Sequence, residues 1–309
     1  RAAQGEGDLA HMTVWLAERE ITGLCTRVVL EKDRAAAGME ATVWAVCAPE
    51  DGRLPKLNPS CGETLEVLEG ETQLFFGTVE TIRFDAAALT LSLQCFDPAA
   101  RLARCQCYGP LEGTPAEIAA ALCRECGLEP GTLAEGSGQR TRLGALCGRS
   151  AYRGIRQVYG EGYAVEYREG KICVAAVGES RAVLDGGKLL ALTAKNTAED
   201  AVNRVRVCGG GQLLAEAGDP EGLAQQGLRQ KTEHPSSGYA VLREQAADGL
   251  RGLKREASAV LEGLYAVRCG QRVTLDRPMA GAYGDYAVTA VRLCCGGGKK
   301  TTELEMEGI

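Results

Sequence analysis

The sequence predicts a mostly β protein with α+β insertions: two related small β-barrels, a mixed α/β domain between them and a long helix inserted in the second barrel. Three observations carry this expectation. Short runs rich in Val, Ile, Leu and Thr recur between turn residues, as in small sandwiches and barrels. The 40 glycines set against 5% aromatic residues describe a chain with many turns and few large anchors. A β-region that begins near residue 61 is written a second time near residue 269. At 309 residues the chain is long for one domain. A chain of this size buries roughly 75% of its unfolded surface, so its fold needs neither a metal nor a disulfide.

The expected order begins with a polar, flexible segment, residues 1–12, in which His11-Met12 precedes a natural start at Met12. The first barrel follows at 13–98. Its strands are "TRVVLE" (26–31), "ATVWAV" (41–46), "ETLEVLEG" (63–70) and "ALTLSLQCFD" (88–97), the last with Leu89, Leu91, Leu93 and Cys95 on one face. The mixed domain spans 99–190. Its helix over 113–127 has Thr114 as N-cap, Pro115 at the first position, Glu117 closing a capping box and Gly127 as the stop. A shorter helix follows Ser150, and "YAVEYREGKICVAAV" (163–177) reads as a hairpin turning at Glu169-Gly170. The second barrel occupies 191–309 with a helical insertion at about 212–264. After a capped turn, Thr197 with Asp200, comes a short strand. Leu242, Ala246, Leu250, Leu253, Ala257 and Val260 then recur at helical spacing over 236–264, weakened by Gly249 and Gly252.

The repeat explains an irregular stretch, "FFGTVETIRF" (75–84), in which Val79 and Ile82 lie three apart where a half-buried strand alternates. Both copies open with Cys-Gly, at 61 and 269. Both then reach the same phase break, "TVETIRF" (78–84) against "AVTAVRL" (287–293), and end in "LTLSLQC" against "TTELEME". Val79 matches Val288, Ile82 matches Val291, Arg83 matches Arg292 and Phe84 matches Leu293. A break that recurs predicts a β-bulge that twists a sheet toward closure, not a slipped strand.

Composition excludes several classes. A net charge of −6 does not suit a domain held to nucleic acid by phosphate neutralisation. No apolar run approaches the ~20 residues that span a bilayer, and no secretory leader opens the chain. The 14 cysteines are therefore expected to be reduced, buried fillers of a cytosolic chain.

The order of parts resembles the baseplate hub proteins of contractile phage tails, the family of the phage late-control D proteins. The carrying motifs are the Gly62-Glu63-Thr64 turn, the strand ending "CFD" at 97, "LAR" at 102–104, "EDAVNRVRV" (199–207), "EGLAQQGLRQ" (221–230) and "GDYAVTAVRL" (284–293). The resemblance runs from about residue 20 to 309. It implies a structural, non-enzymatic homotrimer with two similar barrels per chain, joining a six-fold tail tube to a three-fold spike. Its partners are then tube, spike and baseplate proteins, with DNA or tape-measure protein passing through without specific binding and no membrane contact. Its place is the bacterial cytoplasm during assembly and the virion or tailocin baseplate when mature. The cysteine richness and the lack of an appended lysozyme-like or long spike domain depart from that pattern.

Residues that suggest chemistry are few, and no catalytic, cofactor or metal site is expected. Cys105, Cys107, Cys123 and Cys126 put four thiols in one stretch, but Cys105-x-Cys107 is too tight for a standard zinc ribbon. Cys123 and Cys126 sit at a helix C-terminus, where the dipole opposes the thiolate a redox centre needs. "CCGGGKKTT" (294–302) has Lys300 where a phosphate loop needs Ser or Thr, so it reads as a hairpin loop with exposed lysines, and 208–211 as another loop. The alternative function is a tail-associated peptidoglycan hydrolase. It could nominate Asp97 and Glu117 as its carboxylates, more simply solvated or capping residues, or His234 as a base. His11 falls in the flexible start.

Overall fold

The computed structural model of the chain describes residues 12–47, 57–144, 148–184, 188–236, 241–277 and 281–309. His11 and most of the segment 1–12 lie outside them. The fold is dominated by one curled, twelve-stranded sheet. In chain order its strands are β1 (Met12–Leu16), β2 (Arg19–Glu20), β3 (Cys25–Asp33), β4 (Glu40–Val46), β5 (Thr64–Glu69), β6 (Thr72–Asp85) and β7 (Thr90–Phe96), then β8 (Lys188–Thr197), β9 (Lys254–Glu262), β10 (Arg272–Arg277), β11 (Ala282–Gly296) and β12 (Lys299–Gly308).

The sheet is a duplication in space as well as in sequence. In the first half the neighbours run β5-β6-β7-β4-β3, all antiparallel. In the second they run β10-β11-β12-β9-β8, again all antiparallel. The two halves are joined edge to edge where β3 pairs with β11, from Ala290 opposite Asp33 to Gly296 opposite Arg27. The two expected barrels are thus two halves of one sheet curled over one core, in which Leu65 and Leu93 share a cluster with Val291 and Leu304.

The recurring phase break is a bulge in both halves. The β6–β7 register shifts between Val79 and Thr81, and the β11–β12 register shifts between Val288 and Ala290. Glu80 and Thr289 are the extra residues. Each corner is locked by the same three contacts. The N–H of Gly62 donates to Val79 O at 2.8 Å and that of Gly270 to Val288 O at 2.7 Å. Val79 N–H donates back to Glu63 O, and Val288 N–H to Gln271 O. The thiols of Cys61 and Cys269 donate to the carbonyls of Glu80 and Thr289, at 3.3 and 3.4 Å. The Cys-Gly opening is needed because Gly62 and Gly270 have φ of +93° and +85°, where a Cβ is strained. A second bulge also recurs, between Cys25 and Arg27 in β3 and between Leu189 and Ala191 in β8.

Within the middle of the chain the local expectations agree with the structure. Helix α1 (Ala100–Arg104) precedes α2 (Pro115–Glu125), which carries the full capping box of Thr114 with Glu117. Helix α3 (Ala151–Tyr159) is capped by Ser150. The hairpin pairs Tyr163–Arg168 with Lys171–Ala176, turning on Glu169 and Gly170 at positive φ. α2 and α3 bury Ile118, Leu122 and Ile155 in a core of their own with Ile172 and Val174.

Three expectations are corrected. The long helix over 236–264 does not form: α5 covers only Leu242–Asp248, and β9 takes Lys254–Glu262. Ala257, Ala259 and Leu261 alternate into the core. Their period of two overlaps the steps of three and four that suggested a helix, and Gly249 ends α5. The insertion is instead a small sheet of Arg204–Gly209, Gln212–Gly218 and Gln230–Glu233 with α4 (Pro220–Gln226) and α5, closing on Val205, Val207 and Ala246. Second, Leu89 does not join the buried face of Leu91, Leu93 and Cys95; it is a turn residue with φ of +48°. Third, the turn at Thr197 is capped from Glu199 N–H, not by Asp200. No helix among the described residues is long and apolar enough to cross a membrane.

Candidate assembly interface

The duplication leaves one pairing unfulfilled. Inside the chain the outer edge of β3 is covered by residues 290–296 of β11, the part of that strand beyond its bulge. The equivalents are the outer edge of β8 and residues 81–85 of β6. Among the described residues β8 pairs only with β9. Beyond its bulge β6 pairs, among the described residues, only with β7, its β5 pairing ending at Thr78. Unpaired N–H and C=O groups along a strand are a template for another strand.

Side chains at these edges differ from their covered counterparts in the same sense. Leu293, beside the internal junction, is 3% exposed, while its equivalent Phe84 is 50% exposed. Val29 and Leu30 of β3 are buried, while their equivalents in β8, Thr193 and Ala194, are exposed and half-buried. An apolar side chain that is buried in one copy of a motif and bare in the other marks where a partner belongs.

A second feature lies where the middle unit meets both halves of the sheet. A cavity of about 310 Å³ is lined by Lys32, Asp97, Glu166, Arg268 and Cys269 among others. Lys32 donates to the carbonyls of Ala36 and Ala37 at 2.8 and 2.7 Å. Burial pushes its ammonium pKa down, and Asp97 opposes that shift. Asp97 is buried, not solvated; burial raises its carboxyl pKa and Lys32 holds it back. Its Oδ1 has no hydrogen-bond partner among the described residues. Burial also raises the Glu166 carboxyl, against Arg268 at 3.9 Å, and pushes the Cys269 thiol up to about 12. This cluster was invisible in the sequence because its members are scattered along the chain.

The other sequence candidates fall into structural roles. Glu117 completes the α2 cap and meets Arg140 at 3.3 Å. His234 Nδ1 lies 3.2 Å from the carbonyl of Cys208. The 294–302 segment is the β11–β12 hairpin, but Lys300 is not simply exposed: it bridges to Glu69 at 2.9 Å, tying the two halves together. Glu80, the bulged residue, pairs with Arg104 at the end of α1. Of the four clustered cysteines, the thiols of Cys105, Cys107 and Cys126 converge, while Cys123 points into the α2–α3 core.

The family described as YQBQ-like matches residues 30–307. The sequence matches no curated protein. Solved structures share the fold over nearly the whole chain. The 43 kDa tail protein of prophage MuSo2 from Shewanella oneidensis superposes with a TM-score of 0.74 at 13% identity, covering 96% of this chain and 97% of that one. A tail protein from Neisseria meningitidis MC58 gives 0.67 at 17% identity, with 96% of each chain covered. The Escherichia coli c3393 protein gives 0.54 at 8% identity, covering 95% of this chain and 74% of that one.

Proposed function

We propose that this chain, which belongs to the YQBQ-like family, is a structural hub of a contractile tail or related injection particle, three copies joining a six-fold tube to a three-fold spike. The observation that carries the reading is the unfulfilled strand pairing. A second copy lays its β8 against residues 81–85 of β6, as β3 lies against β11 within one chain. Carried over by equivalence, the register places Thr81 opposite Thr197, Ile82 opposite Asn196, Arg83 opposite Lys195, Phe84 opposite Ala194 and Asp85 opposite Thr193.

Such a contact is head-to-tail, and head-to-tail contacts close into rings when the rotation allows. Internal and external junctions then alternate, so three chains present six near-equivalent half-sheets. Bulky Phe84 against small Ala194 replaces Leu293 against Leu30. The ion pairs are not repeated. Arg292 is held by Glu31 at 2.7 Å and Glu303 at 3.6 Å, whereas Arg83 faces Lys195, whose own partner is Glu256 at 4.0 Å. The external junction therefore rests on backbone pairing and apolar contact.

The structural relatives support a tail role. Two are tail proteins by name, and the Escherichia coli protein is a type VI secretion component described as similar to the T4 tail proteins gp27 and gp5. Tube and spike proteins are the partners this reading names. The −6 net charge suits a ring that passes DNA or tape-measure protein without holding it. The hydrolase alternative gains no support from Asp97 or Glu117, which are taken up by burial and by capping. Light scattering and electron imaging of the chain, alone and with tube and spike partners, test the reading. The expected particle contains three chains of 32.6 kDa, about 98 kDa in all, with six similar lobes. A two-fold dimer, or six copies per ring, would refute it.

A further inference from the structure

We propose that Cys105, Cys107 and Cys126 form a three-thiolate site for zinc, with a water as the fourth ligand. The three sulfurs all lie within 4.8 Å of one another. Three thiolates around a tetrahedral zinc, each at ~2.3 Å, sit about 3.8 Å apart, so only small rotations about the Cα–Cβ bonds separate the present arrangement from a bound one.

The backbone that carries the thiols is fixed. Cys105 N–H donates to Arg101 O at 2.7 Å and its carbonyl accepts from Ala151; the carbonyl of Cys107 accepts from Gly148; Cys126 N–H donates to Cys123 O at 3.1 Å. The close Cys105-x-Cys107 spacing works because the chain there is the short strand Gln106–Cys107 rather than a knuckle. Cys123 is not a ligand, since its thiol is not among the three that converge.

The surroundings favour a cation. The carbonyl end of α2, an eleven-residue helix, adds partial negative charge beside Cys126. Thiols in such a place are poor nucleophiles and good ligands once a divalent cation displaces their protons. The step balances as one zinc ion plus three thiols giving three zinc–sulfur bonds and three released protons, a water filling the fourth position. Affinity therefore rises with pH, by up to about a thousandfold per unit while three protons are displaced. The function this adds is a staple between the α1 exit and the α2 exit, independent of the assembly reading above.

Cobalt titration of the reduced full-length chain tests this. The expected result is a thiolate-to-cobalt charge-transfer band saturating near one equivalent per chain and abolished by added zinc. Cys126→Ser and Cys105→Ser should each weaken it at least tenfold, while Cys61→Ser and Cys123→Ala keep it. Circular dichroism confirms that each variant is folded. No charge-transfer band, or equal loss in Cys123→Ala, overturns the proposal. So does chain purified without reductant that carries a disulfide at these positions and no zinc.

Discussion

Phe84→Glu is expected to leave the chain folded and to abolish its ring. Phe84 is half exposed in the single chain, so the folded monomer loses little contact, and surface changes of this kind usually cost under about 0.5 kcal/mol. In the proposed junction the same ring is covered by Ala194 and its neighbours from a second copy. Replacing a buried aromatic by a carboxylate on the face it shares with Ile82 and Ala194 forfeits the apolar burial and adds desolvation. Together these are about 3 kcal/mol or more per junction, a hundredfold or greater loss of affinity at each of three contacts. Urea unfolding and light scattering separate the two effects. Unchanged mass in a folded variant would show that residues 81–85 are not the contact, while a large loss of monomer stability would show that Phe84 belongs to the core.

Deleting Thr289 is expected to unfold the protein, whereas Thr289→Ala, which keeps the chain length, should cost less than about 1 kcal/mol. Val291, Leu293 and Cys295 point into the core at 2–3% exposure. They do so because one extra residue at 289 resets the alternation after Val288. Without it the strand slips by one, turning these three outward and Arg292 inward. Each lost apolar side chain removes about 1.5–3 kcal/mol, and an unpaired buried guanidinium adds several more. The sum reaches the 5–15 kcal/mol that hold an ordinary domain. Thr289 also accepts hydrogen bonds from Arg34 N–H and the Cys269 thiol at the corner. The deletion should yield insoluble chain or none of the cooperative urea transition of the parent. A cooperative transition within about 1 kcal/mol of the parent would mean that the bulge does not set the register.

That corner was legible because a phase break is a local property: Val79 and Ile82 are three apart in the letters themselves, and so are Val288 and Val291. The α2 cap and the Glu169-Gly170 turn were legible for the same reason, each being settled within four residues. What failed was arbitration between periods. Ala257 and Val260 fit a helical stripe, yet Ala257, Ala259 and Leu261 fit a strand, and the neighbour that decides, β12, lies more than forty residues away. A boundary drawn at residue 191 cut through β8 (188–197), hiding the free edge that the assembly reading depends on. The Lys32–Asp97–Glu166 cluster had no sequence signal at all, because its members meet only when three parts of the chain close on one cavity. The thiol cluster was half visible: Cys105-x-Cys107 announced itself, but helical spacing joined Cys123 to Cys126, when Cys126 is the cap that leaves the helix and turns away from Cys123.

Oxidative cross-linking of the double variant Phe84→Cys, Ala194→Cys tests the central claim most directly, since these positions are far apart in one chain's sheet path and opposite one another only between copies. On a non-reducing gel the expected products are a covalent dimer and trimer that end at three chains, absent from either single variant despite the native cysteines. Three-chain particles without this cross-link, or a ladder running on past three, would contradict the pairing of β8 with β6 and the ring built on it.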